Sequence, residues 1–147
     1  MKTKRYTRFS QVLSAITLAV IFSANVFAAS FTDVPNEHPY YQSISFLESW
    51  KVIEGYEDGT YKPEVLINRA EFLKIVLESI NVQLDNSTPT QFTDVDEAAW
   101  YAPYLRKAKA EGWIQGYQDG SFKPAQNINK VEALKILGEV QKWDRLT

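Results

Sequence analysis

Two four-residue runs hold the cations best placed for chemistry: Asn68-Arg69-Ala70-Glu71 and Asn129-Lys130-Val131-Glu132. Each reads as a helix capping box. The Asn side chain accepts from an N–H near the third helical residue, and the Glu reaches back to the Asn N–H. Such a cap contributes about 1 kcal/mol. Arg69 and Lys130 then stand one residue inside helix N-termini, where free N–H groups and the helix dipole favour anions. A cation there weakens its own helix slightly, so helix stability leaves it unexplained. Contact with an anionic ligand would explain it; pairing with a nearby acid on a solvated face is the alternative. Asn68, Glu71, Asn129 and Glu132 are read first as caps that support such a site.

Other chemistries find fewer parts. The chain of 147 residues has no Cys and a single His38, which excludes thiolate metal sites, cysteine nucleophiles and paired-histidine motifs. A glycosidase needs two carboxylates at a suitable separation. The candidates Asp33/Asp94 and Glu71/Glu132 recur as symmetric copies with local structural roles, so no catalytic residue is expected. Asp33 and Asp94 are read as fixing the entry to the first helix of each unit. The acids around Asp58 and Asp119 lack the alternating ligands and final Glu of a calcium loop, so no metal or cofactor is expected. Trp50, Trp100 and Trp113 could stack on sugar faces or pack internally, with Trp113 the favoured groove-lining candidate. Gly55 and Gly116 are turn formers first, with close backbone approach to a ligand as a second use.

The elements that must position these residues come as a repeat. Phe31-Thr-Asp-Val34 recurs as Phe92-Thr-Asp-Val95, and the offset of 61 gives 19 identical pairs in 50 positions without a gap. Each unit reads as helix, turn, helix. In the first helix, Tyr40, Ile44 and Leu47 correspond to Tyr101, Leu105 and Ala108 at the spacing of one helical face. Gly112 suits a left-handed cap there, whereas Lys51 in the first unit predicts a less sharply closed end. Asp58-Gly59 and Asp119-Gly120 predict tight turns whose flanking aromatics fold back on the helix pair. The second helix predicts an apolar face of Phe72, Ile75, Val76, Ser79 and Ile80, repeated by Ala133, Ile136, Leu137 and Val140.

Residues 1–28 have the layout of a secretory signal: Lys2, Lys4, Arg5 and Arg8, an apolar run from Val12 to Phe22, then Val26 and Ala28 at the −3 and −1 places. Cleavage after Ala28 is expected, with an uncleaved membrane anchor as the competing reading. Cleavage leaves twelve cations against eighteen acids, a net charge of −6, which argues against nucleic-acid binding. The expected organisation is a signal at 1–28, repeat units at 29–80 and 92–140, a polar linker at 81–91 and a tail at 141–147.

The combination of F-T-D-V, G-Y-x-D-G-[TS]-[YF]-K-P and I-N-[RK]-x-E, twice over, resembles the S-layer homology modules. The resemblance covers Phe31 to about Val140. It implies a mainly α fold of tandem helix-turn-helix modules packed as a bundle. It further implies an exported, non-catalytic protein that attaches to the cell envelope through an anionic wall polymer, either pyruvylated polysaccharide or modified peptidoglycan. An adaptor that associates with other such modules, or with itself, is the alternative. The family's usual Thr-Arg-Ala-Glu aligns with Asn68–Glu71 and Asn129–Glu132, implying ligand contact at Arg69 and Lys130. Asn for Thr keeps the cap; Lys130 keeps charge but loses the planar fork of Arg. Family domains typically carry three modules in a pseudo-threefold bundle, and this chain has two. Either the two modules close a smaller bundle or another chain completes a third face; an apolar helix face left uncovered by two modules predicts weak homo-oligomerisation.

Overall fold

The computed structural model describes residues 31–84 and 88–142. The export segment expected at 1–28 and the end of the tail lie outside the described residues. The fold is mainly α, with four helices: α1 (Tyr41–Ser49), α2 (Arg69–Ser79), α3 (Ala102–Ala110) and α4 (Lys130–Gln141). Among the described residues the only strand-like pairing is an isolated antiparallel bridge between Asn68 and Asn127. No helix among them is long and apolar enough to cross a membrane.

Local sequence explains the helix ends. Both capping boxes form: Asn68 Oδ1 accepts from the Glu71 N–H at 2.9 Å, and Asn129 Oδ1 from the Glu132 N–H at 3.0 Å. In return the Asn68 and Asn129 N–H groups donate to Glu71 and Glu132 at 3.0 and 3.2 Å. Pro103 sits in the first turn of α3, where its missing N–H removes no helical bond. The expectation of a looser end to α1 is not met. Lys51 adopts the left-handed conformation (φ 60°) just as Gly112 does (φ 77°). The closing bonds match as well: Val52 N–H to the Leu47 carbonyl at 2.9 Å, Trp113 N–H to the Ala108 carbonyl at 2.8 Å. The six-residue closure is set by backbone bonding, and a non-glycine residue there costs about 1 kcal/mol, too little to undo it.

The helix faces meet expectation in part: Ile44, Val76, Leu105, Ala108, Ile136 and Val140 are buried as the spacing predicts. Tyr40 caps α1 and is 68% exposed, so the inward positions are Tyr41, Ile44 and Ser45. On α2 the buried residues are Arg69, Ala70, Leu73, Val76 and Leu77, whereas Phe72 and Ile75 are half-buried and Ile80 is exposed. The reason is the helix that α2 meets. Close helix contacts join α2 to α3 and α4 of the following unit, with none to α1 among the described residues. Side chains still meet inside each unit, Ile75 of α2 against the core of Tyr41 and Ile44 and α3 with α4 through Leu105, Ala108, Ile136 and Val140, and the close backbone approaches add pairing across units.

Two cores result. The larger gathers Leu73, Val76 and Leu77 of α2 with Phe92, Leu105, Ile114, Phe122 and Ile136. The smaller belongs to the first unit and contains Phe31, Val34, Tyr41, Ile44, Val52 and Ile53. The aromatic residues after each Asp-Gly turn do fold inward: Tyr61 stacks on Phe31 and Phe122 lies against Phe92. The segment read as a polar linker is docked at both ends. Val82 and Leu84 pack on the larger core, and fully buried Thr90 donates its N–H and hydroxyl to Glu97 at 2.8 and 2.7 Å.

Candidate functional site between the two units

Each unit's central loop is locked by an acid from its F-T-D-V run. Asp33 accepts the N–H groups of Tyr61 and Lys62 at 2.8 and 2.7 Å, and Asp94 those of Phe122 and Lys123, both at 2.8 Å. These contacts, led by the Tyr61 N–H, hold the Asp33 carboxyl below its ordinary range. The two aspartates therefore clamp a loop 28 or 29 residues away and do not fix the entry to the first helix of each unit, whose N-caps Tyr40 and Tyr101 carry no side-chain cap bond. Inside the loop, the Tyr56 N–H donates to the Thr60 carbonyl, and the Tyr117 N–H to the Ser121 carbonyl, both at 2.8 Å. Gly116 has φ 76°, and a Cβ there would lie 2.6 Å from Phe92 Cε1 and 2.7 Å from the Ser121 oxygen. Gly55 is confined in the same way by Phe31 and the Thr60 carbonyl. Packing and backbone conformation thus account for both glycines.

The start of α2 docks on the second unit's loop as a short extended ladder followed by a helical turn. Ile128 donates to the Ile67 carbonyl at 3.2 Å, Arg69 N–H to the Gln126 carbonyl at 2.9 Å, and Ala70 N–H to the Pro124 carbonyl at 3.1 Å. These partners satisfy N–H groups that a helix N-terminus leaves open. The Arg69 side chain continues the junction. It is 6% exposed, its Nε donates to the Phe122 carbonyl at 2.9 Å, and its Nη1 lies 3.4 Å from Glu132 Oε1. The guanidinium carbon stands 4.6 Å from the Phe122 ring centre and 5.0 Å from that of Tyr117, so two aromatic faces enclose the cation. Glu132 is held below its ordinary range, chiefly by the Tyr117 hydroxyl at 2.5 Å, with Asn129 and Arg69 adding to it. Burial and the same carboxylate push the Tyr117 hydroxyl up.

This junction frames a groove of about 180 Å³. It brings Arg69 of the first unit together with Trp113, Gly116 and Glu132 of the second. Lys135, Gln115 and Tyr117 complete the wall and were not singled out from sequence. Lys135 had a signal, since it repeats Lys74 at the common offset. Lys130 and Asn129 are exposed and line neither this groove nor the larger one described next.

The first unit repeats the groove with a different content. Every second-unit residue of the 180 Å³ groove has its counterpart in a cavity of about 410 Å³, where Gly55 and Glu71 take the places of Gly116 and Glu132. One substitution inverts the charge balance. Glu54 binds Lys74 at 2.7 Å, whereas Gln115 holds the equivalent place beside Lys135. Lys135 is therefore an exposed cation without an ion-pair partner among the described residues, while Lys74 is neutralised. Trp100 lines the first cavity and Trp113 the second groove; Trp50 is 68% exposed and tilts against Phe46. Among the described residues no group of three His, Cys, Asp or Glu side chains is placed to hold a metal.

The same architecture appears in sequence comparison. The S-layer homology domain pattern matches residues 30–73 and again 91–134, more than half of the chain. The chain belongs to the S-layer homology domain family. It carries two tandem modules, and membership places it among exported proteins of the cell surface. Its relatives include an S-layer protein of Bacillus thuringiensis subsp. finitimus, 27% identical over 145 residues. That match covers 97% of this chain and 18% of the relative. A cellulosome-anchoring protein of Acetivibrio thermocellus is 30% identical over 112 residues, covering 74% of this chain and 25% of the relative. Cell surface glycoprotein 1 of the same species is 29% identical over 119 residues, covering 75% of this chain and 5% of the relative. The chain thus spans a quarter or less of the length of these relatives. In S-layer homology terms, the groove described above lies where the second helix of one module starts against the loop of the next.

Proposed function

We propose that the chain is a non-catalytic attachment module that holds an anionic cell-wall polymer in the groove between its modules. Pyruvylated polysaccharide and modified peptidoglycan both have the required chemistry, sugar rings bearing carboxylates. The observation that carries this reading is the unpaired Lys135 beside Arg69, Trp113 and the loop of Gly116. Arg69 is largely compensated by Glu132, so Lys135 supplies the free charge while Arg69 shapes the wall behind it. Trp113 is half-buried and lines the groove, and an aromatic ring suits the apolar side of a pyranose. The acids have other work: Glu71 and Glu132 cap helices, and Asp33 and Asp94 hold loops. The relatives' names, an S-layer protein and a cellulosome-anchoring protein, support attachment at a surface.

Co-sedimentation with purified cell-wall sacculi tests the reading. Wild type and Lys130→Gln are expected in the pellet, whereas Lys135→Gln loses at least tenfold in affinity and Trp113→Ala a similar amount. Equal pelleting of the Lys135 variant and wild type would defeat the assignment.

A further inference from the structure

The first module's cavity is larger than the second groove for an identifiable reason. In the second module, Phe122, Pro124 and Gln126 offer their carbonyls to Arg69 Nε, Ala70 N–H and Arg69 N–H of the preceding helix. Their counterparts at the offset of 61 are Tyr61, Pro63 and Val65, and all three line the open 410 Å³ cavity. Leu66 and Ile67, the counterparts of Asn127 and Ile128, line it too, and Leu66 is 73% exposed. The cavity is thus the shape left when a helix start such as Ile67-Asn-Arg-Ala70 is missing from an acceptor surface that is otherwise repeated. Glu71 and Tyr56, equivalent to the Glu132 and Tyr117 that enclose Arg69, are both in place.

We propose that this cavity is the docking site for an S-layer homology module of another protein chain, one that carries Arg as the first residue of its second helix. The occupant's Arg takes the place between Glu71 and the rings of Tyr56 and Tyr61 that Arg69 takes between Glu132, Tyr117 and Phe122. The internal junction is the template, and it also selects the partner. Arg69 uses Nε on a carbonyl and Nη1 on a carboxylate at once while its plane lies on aromatic rings. A second copy of this chain would present Lys130, a point charge without that fork, so it fits the site less well. The apolar Val65 and Leu66 at the rim, in place of Gln126 and Asn127, favour a helix start flanked by apolar residues.

The test uses isotope-labelled full-length protein and, as probe, a peptide with the sequence of Leu66–Leu77 held helical by a side-chain lactam. Amide signals of Val52 to Tyr56 and of Val65 to Ile67 are expected to shift saturably. Arg→Ala at the Arg69 position of the peptide, or Leu66→Ser in the protein, weakens binding at least tenfold. Absence of shifts, or shifts that ignore the peptide's Arg, overturns the proposal. A wall muropeptide that moves the same amides makes the cavity a glycan site and overturns it. Concentration-dependent self-association abolished by Lys130→Ala makes the occupant a second copy and likewise overturns it. The outcome is independent of sacculus binding through Lys135, since the two grooves are read by different amides and different variants.

Discussion

Arg69 shows how one side chain changes meaning between sequence and structure. Its place inside a helix N-terminus points to an anion, and it does meet one, but the anion is Glu132 of the next module. The acid partner read from sequence is real, and the pair is enclosed rather than on a solvated face, with Arg69 buried and Glu132 half-buried. In the proposed function the ligand-facing charge is Lys135, freed because Gln115 stands where Glu54 neutralises Lys74. Arg69→Ala leaves Glu132 without its cation and the Phe122 carbonyl without its donor. Breaking a buried pair from one side costs about 3 kcal/mol, and Arg69→Lys is expected to restore part of it. Urea denaturation measures both; a loss below about 0.5 kcal/mol for the alanine variant, the scale of an ordinary surface change, would deny the junction role.

At the scale of elements, α2 is the member that joins the modules. It takes its cap from Asn68, its N-terminal hydrogen bonds from the second module's loop, and its burial from α3 and α4. Helix α4 has the same cap but a free face: Val131 is 76% and Leu134 50% exposed, whereas Ala70 and Leu73 at the equivalent places are 2% and 0%. Loss of either cap costs about 1 kcal/mol at the helix itself. Asn68→Ala should lower the thermal midpoint more than Asn129→Ala, because fraying α2 also loosens Arg69 and the ladder to Gln126. Identical midpoints for the two variants would show that the junction does not depend on that cap.

For the molecule as a whole, the repeat and its capping boxes were legible because they rest on local identities and short-range bonding. The partner of each helix was not. Leu73 and Leu134 are the same residue in the same motif, yet one is fully buried and the other half exposed. An apolar stripe specifies that a face is covered, but not by which neighbour, and α2 finds its neighbour in the following module. The candidate groove was legible in pieces. Arg69, Trp113, Gly116 and Glu132 were recognisable from their motifs, while Lys135 became visible as a site residue only once Gln115 was seen beside it. The role of the F-T-D-V aspartates was not legible, because their partners lie 28 and 29 residues away, beyond the reach of local patterns.

The central claim is that the groove between the modules holds an anionic wall polymer. The most direct measurement is Trp113 fluorescence in a Trp50→Phe, Trp100→Phe and Trp143→Phe background, titrated with pyruvylated wall polysaccharide before and after mild-acid removal of the pyruvyl groups. A saturable response to the intact polymer, absent with the stripped polymer and reduced at least tenfold in affinity by Lys135→Gln, is predicted. An equal response to both polymers, or none to either, would contradict the claim.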